Sequence, residues 1–169
     1  MKEQNMPHLP DVDSLISELV KRIGAVTENT ALVGIHTGGV WVAERLHTAL
    51  GIEHPLGTLA VTLHRDDFEK IGLHAQTRAT HIPFDVEGCH IILIDDVLYT
   101  GRTIRAALNE LFDFGRPATV KLACLVDRGG RELPIAADYC GAQITLPATQ
   151  ELVLDKQGET LKLRVQERT

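Results

Sequence analysis

The strongest chemical signal in the sequence is the string Ile91-Ile92-Leu93-Ile94-Asp95-Asp96-Val97-Leu98-Tyr99-Thr100-Gly101-Arg102-Thr103. Its second half suits a phosphate monoester. Gly101 lets the backbone approach an anion, the Thr100 and Thr103 hydroxyls can donate, and a helix opening near Thr103 would aim free N–H groups at it. Its first half ends in adjacent carboxylates, Asp95 and Asp96, which would repel a phosphate they touched. They suit the vicinal hydroxyls of a sugar instead, with a hard cation nearby. Cradle and diol acceptors together describe a ribose 5-phosphate site. The GxxxxGK[ST] and GxGxxG spacings of other phosphate-binding loops are absent from the string.

The elements that must carry this string follow from apolar periodicity. Val12, Leu15, Ile16, Leu19, Val20 and Ile23 make one helical stripe, from a cap at Asp11 or Asp13 to Gly24. A strand over 31–35 precedes His36-Thr37-Gly38-Gly39 and a helical pattern through Val40, Ala43, Leu46 and Leu50. A second strand is predicted from Thr58 to Leu63. The stretch from Arg65 to Gly88 has no sustained period and reads as a lid or binding loop. Ile91–Ile94 is a strand ending at the acids, and a helix from about Thr103 stops at Gly115-Arg116-Pro117. Val120–Val126 is a further strand, short segments follow at 137–139 and 143–146, and Gly158 divides a terminal hairpin. Residues 1–10 read as a loose arm. Strands alternating with helices predict one α/β domain, a mostly parallel sheet with helices on both faces and its ligand at the strands' carboxyl ends.

At 169 residues, 44% of them hydrophobic and 24% charged, the chain is expected to form one packed domain. No apolar run approaches a membrane span, and a soluble cytoplasmic protein is expected. Cys89, Cys124 and Cys140 lack CxxC spacing and read as apolar fillers. A net charge of −6 argues against bulk attraction to nucleic acid. Arg102, Arg105, Arg116, Lys121, Arg128 and Arg131 outnumber the acids around them, which reads first as solvated helix and loop ends.

The string resembles the signature of type I phosphoribosyltransferases, which use 5-phosphoribosyl 1-diphosphate (PRPP). Its wording is similar to one branch, the PyrR family of pyrimidine operon regulators and uracil phosphoribosyltransferases. Leu63-His64-Arg65-Asp66-Asp67, Phe114-Gly115-Arg116-Pro117, the run from Leu125 to Ile135 and Ala137-Asp138-Tyr139 also look like family segments. The resemblance implies a single-domain type I phosphoribosyltransferase fold with a lid over 65–88 and a small hood. It implies that Asp95 and Asp96 take the ribose hydroxyls near a metal, and that Val97, Leu98, Tyr99, Thr100, Gly101, Arg102 and Thr103 complete the ribose-phosphate site. His36, Thr37, Gly38 and Gly39 would form the pyrophosphate loop. Arg65, with Asp66 and Asp67 in the lid, would serve catalysis. Val126, Asp127, Arg128 and Leu152 would hold uracil, mainly through backbone groups. Mg²⁺, PRPP, uracil, UMP and pyrimidine operon leader mRNA are the implied cofactor and partners, and a homodimer or higher homo-oligomer the implied assembly.

The chain departs from that pattern in places. Gly38 stands where the family commonly has arginine, His36 where it often has lysine, Gly130 where many members have histidine, and His64 in place of tyrosine. One guanidinium on a diphosphate contributes about 1.5–3 kcal/mol, so its loss predicts roughly 10- to 150-fold weaker PRPP binding. Gly38→Arg is then expected to raise that affinity. The alternatives are a nucleotide-sensing RNA-binding attenuator with little catalysis, and a purine phosphoribosyltransferase on the same scaffold.

Overall fold

The computed structural model describes residues 8–61 and 79–169. Helix α1 (Val12–Ile23) opens on Asp11, whose carboxylate accepts from the Ser14 amide at 3.1 Å, and closes on Gly24 at φ 65°. Its predicted stripe is buried at Val12, Leu15, Ile16, Leu19 and Ile23. Strand β1 (Thr30–Ile35) is buried throughout and feeds α2 (Gly38–Leu50). Then come β2 (Gly57–Leu59), β3 (His90–Leu98), α3 (Arg102–Phe112), β4 (Thr119–Asp127) and β5 (Tyr139–Gln143). A hairpin of β6 (Gln150–Gln157) and β7 (Thr160–Glu167) completes the described chain, turning at Gly158 as expected.

The central sheet runs β2-β1-β3-β4-β5, every pair parallel. Its chain order reverses between β1 and β3, and the loops leaving those strands diverge there to open a crevice at the carboxyl edge. One apolar cluster joins α1, α2 and the hairpin on one face, and another joins α3 to the opposite face. Helices therefore cover both faces. Cys89 and Cys124 are buried among the aliphatic side chains of the α3 cluster.

The second strand, predicted from Thr58 to Leu63, ends at Leu59, and three further expectations change. Strand β3 does not stop at the acids but continues through Asp95 and Asp96 to Leu98, because β4 keeps pairing with it, Val97 opposite Val126 and Leu98 opposite Asp127. Ladder bonding belongs to the backbone, so a carboxylate can ride on a strand end. The stretch after β2 is not structureless at its far end. His81 bridges Thr58 antiparallel, Ile82, Phe84 and Val86 pack on the α3 cluster, and Thr80 Oγ1 accepts from the Ala60 amide at 3.0 Å. Finally, a single strand, β5, lies between the two short segments anticipated after β4. The lid residues Arg65, Asp66 and Asp67, together with Leu63 and His64, lie outside the described residues, as does the arm over 1–7.

Candidate active site

The loop leaving β1 and the end of β3 meet in the crevice. Gly34, near the end of β1, lies so close to α2 that a Cβ there would sit 2.9 Å from Ala43 Cβ and from Val40 Cα. At Gly39 a Cβ would sit 2.5 Å from the Ile94 carbonyl oxygen. The first turn of α2 thus rests directly on the backbone of β3. At Gly38 a Cβ would stand 2.0 Å from Asp96 Oδ2 and 2.7 Å from its Cγ. The His36–Thr37 peptide is cis, the His36 amide donates to Leu59 O at 2.8 Å, and Thr37 Oγ1 is buried without a partner. The predicted pyrophosphate loop and acid pair are therefore brought into contact.

Asp95 is buried at 7% exposure. Its Oδ1 accepts from the Asp96 amide at 2.9 Å, and Asp96 Oδ1 accepts from the Val97 amide at 2.8 Å. Burial first, and then the charge and hydrogen bonding of Asp96, hold the Asp95 carboxyl well above its ordinary range. Asp96 is half-buried and faces the glycine loop.

Past the acids, Val97 is half-buried against the hairpin-side cluster, and the Leu98 side chain is core, leaving its backbone at the site. Thr100 Oγ1 accepts from the Arg102 amide at 3.2 Å, and Gly101 at φ 93° caps α3. A Cβ on Gly101 would stand 3.0 Å from Ile135 Cγ1, so glycine meets both a backbone and a packing demand there. With glycine as its cap, α3 presents its first amides to the crevice, beside the half-buried Thr103. An anion is favoured at such an end.

Sequence reasoning left one part of this site without a role. The Glu132 and Leu133 amides donate to Thr100 O at 2.9 and 3.1 Å, and Arg131 Nη1 donates to Tyr99 O at 2.6 Å. Residues 131–135 thus hold the phosphate loop from behind. The available signal was Leu133-Pro134-Ile135 after a Gly-Gly pair, which carries no chemistry by itself.

The predicted uracil residues fare differently from one another. Val126 is fully buried at the end of β4. Asp127 pairs with Arg131 at 2.5 Å, its Oδ1 accepts from Gly129 N, and its carbonyl accepts from Ile144 N. The Arg128 amide donates to Leu98 O, so these two backbone groups are already engaged. The Arg128 side chain turns into the protein, and Leu152, on β6 of the hairpin, is buried in the core. Three of the six basic residues are engaged within the protein. Arg102 pairs with Glu132 at 2.9 Å, and Arg128 and Arg131 are spent on internal acceptors.

Residues 3–151 match the phosphoribosyl transferase domain family. The same fold is found in a purine phosphoribosyltransferase from Pyrococcus horikoshii Ot3 (24% identical, TM-score 0.60, covering 86% of this chain and 93% of that one). It is found too in a glutamic acid mutant from an analysis of an invariant aspartic acid in HPRTs (22% identical, TM-score 0.63, covering 84% and 82%). Nearer relatives are the Bifunctional protein PyrR of Pseudomonas fluorescens, 52% identical over 86% of this chain and 90% of that protein, and that of Ralstonia nicotianae, 53% identical over 89% and 87%. The Nitrosococcus oceani protein of the same name is 57% identical over 73% and 71%. The chain belongs to the PyrR family of type I phosphoribosyltransferases.

Proposed function

We propose that the chain is a pyrimidine regulator with uracil phosphoribosyltransferase activity, converting uracil and PRPP to UMP and diphosphate. The observation that carries this reading is the contact of Gly38 with Asp96 beside a glycine-capped helix end. One crevice thereby holds diol acceptors, a phosphate cradle and a glycine loop for the departing diphosphate.

In the reaction, uracil N1 bonds to C1 of the ribose as the bond from C1 to the diphosphate breaks, with positive charge on the sugar between, and the N1 proton is released with the departing diphosphate. Asp95 and Asp96 hold the vicinal hydroxyls and favour that charge. Thr100, Thr103 and the first amides of α3 take the 5-phosphate, with Val97 to Arg102 forming the wall around it. His36, Thr37, Gly38 and Gly39 face the leaving group. The backbone of Val126, Asp127 and Arg128, with Leu152 of β6 in the hood, frames the base. Keeping water from the activated sugar is the role proposed for Arg65, Asp66 and Asp67.

The donor set fits Mg²⁺, a hard cation usually held by one or two carboxylates and substrate phosphates. Asp96 is the carboxylate placed for it, with Asp95 behind. Bound with the diphosphate, the cation would neutralise leaving-group charge. Absence of UMP formation at millimolar PRPP with Mg²⁺ would reject the enzyme reading. Asp96→Asn and Thr100→Ala are each expected to abolish or strongly weaken UMP binding by calorimetry, with the fold intact by circular dichroism; unchanged affinity in both would reject the site.

Regulation of pyrimidine biosynthesis genes in response to UMP accompanies the activity, with pyrimidine operon leader mRNA as the proposed partner, in the cytoplasm and as a homo-oligomer. A sensor with little catalysis is favoured only by the missing guanidinium at Gly38. Gel shift with leader RNA, with and without UMP, beside the turnover assay separates the two.

A further inference from the structure

Tyr99 sits in the phosphate loop, and contacts from two distant parts of the chain converge on its ring. The Arg128 guanidinium carbon lies 4.0 Å from the ring centroid and that of Arg168, just past β7, lies 5.1 Å away. Gly130, at φ 77°, abuts the ring so closely that a Cβ would stand 3.1 Å from Tyr99 Cε2. Glycine at 130 leaves room for the ring.

Arg128 is 6% exposed. Its Nη1 donates to Gln150 O at 2.7 Å, and its Nη2 to Pro147 O at 3.2 Å and Leu146 O at 3.4 Å. Those acceptors all lie where the chain enters the hairpin. Among the described residues no carboxylate is bonded to Arg128, since Asp127 beside it is taken by Arg131, and its buried Nε has no partner. A guanidinium taken out of water without a counter-ion is costly, so this one is not there as half of an ion pair. What the planar fork and flat face do here is geometric, bonding the hairpin entry on one side and stacking on the phosphate loop on the other.

We propose that Arg128 is a positioning residue that clamps the hairpin to the phosphate loop through the Tyr99 ring, so that the base-side hood and the ribose-phosphate cradle hold a fixed spacing. The proposal rests on the ribose-phosphate and base sites assigned above. The Arg128 side chain then contributes to base recognition without touching the base.

The test uses the full chain with UMP and with ribose 5-phosphate, which lacks the base, as probes. Arg128→Lys keeps the charge and loses fork and stack. Tyr99→Leu removes the ring, and Tyr99→Phe keeps it. Arg128→Lys and Tyr99→Leu are each expected to weaken UMP roughly 10- to 100-fold, the scale of a small misplacement, and to raise the KM for uracil more than they lower kcat. Ribose 5-phosphate should change less than about threefold in the Arg128→Lys protein. Tyr99→Phe should keep the parent's amide exchange across residues 150–167, and the double variant should be no worse than either single. Amide exchange across residues 150–167 should quicken in both single variants while α1 is unchanged.

A Tyr99→Leu protein with parental uracil KM would make Arg128 a direct base contact and overturn the clamp. Parallel loss of both probes, additive effects in the double variant or unchanged hairpin exchange would also overturn it. Should the parent chain bind neither probe, the site assignment fails, while the exchange measurement still decides whether hairpin and loop are coupled.

Discussion

Asp95 carries a cost that the Asp96 amide relieves only in part. Its carboxyl is raised by burial and by Asp96, so the folded chain binds that proton more tightly than the unfolded chain does. Stability from this group is therefore complete below the ordinary value of 3.8 and is lost as pH rises from there through the raised value. Asp95→Asn is expected to add about 1–3 kcal/mol at pH 7, with no gain at pH 3, while abolishing UMP formation. Thermal unfolding at the two pH values checks the sign. Gly38 is coupled to the same pair. The sequence alone made Gly38→Arg a gain, through a restored guanidinium on the diphosphate. The structure reverses that expectation, because a Cβ at 38 collides with the Asp96 carboxylate, whose other oxygen is bonded to the Val97 amide. Gly38→Arg should displace Asp96 and weaken PRPP binding at least about tenfold by calorimetry, the loss of one charge-assisted contact; tighter binding would show that Asp96 can turn aside freely.

Among the elements, α3 has to hold its N-terminus against the crevice while its other end is anchored in the core. Ile104, Ala107 and Leu111 bury one stripe against the sheet, and Leu111 is fully buried at the end remote from Gly101. Leu111→Ala is expected to cost about 2–5 kcal/mol in denaturant unfolding. UMP affinity should stay within about threefold, since the phosphate end is held separately by Gly101 and residues 131–135. Elements of this kind were legible in advance. Asp11 and Gly24 bound α1, Gly158 marks the hairpin turn, and the α3 stripe is periodic, because each such signal is local to its own segment. The continuation of β3 to Leu98 was not legible, since it depends on pairing with β4. Neither was the return of residues 79–88 along β2, whose partner Thr58 lies more than twenty positions earlier.

For the molecule as a whole, the reversal of strand order between β1 and β3 opens one crevice at the carboxyl edge of the sheet. Ligand binding to the native state alone should raise stability by mass action. UMP at a hundredfold excess over its Kd should add about 2.7 kcal/mol, or roughly 5–10 °C in melting temperature for a chain of this size. Amide protection should concentrate at the ends of β1, β3 and β4. A cavity of about 310 Å³ lies at the opposite edge, lined by Thr30, His90, Thr119, Lys121 and Tyr139 among others. Protection centred there would place the nucleotide elsewhere.

Residue order by itself determined the acid pair, the threonine–glycine cradle, the glycine loop and the alternation of strands and helices, because each is written in neighbouring positions or in a short period. Only the tertiary structure decided that Gly38 abuts the Asp96 carboxylate, and that Arg128 and Arg131 serve internal carbonyls and a ring instead of an open basic face. Those outcomes depend on which backbones approach one another across the sheet and on what each side chain meets there. A guanidinium has the same charge in a linear sequence whether it ends in solvent or against the Tyr99 ring; packing sets its role.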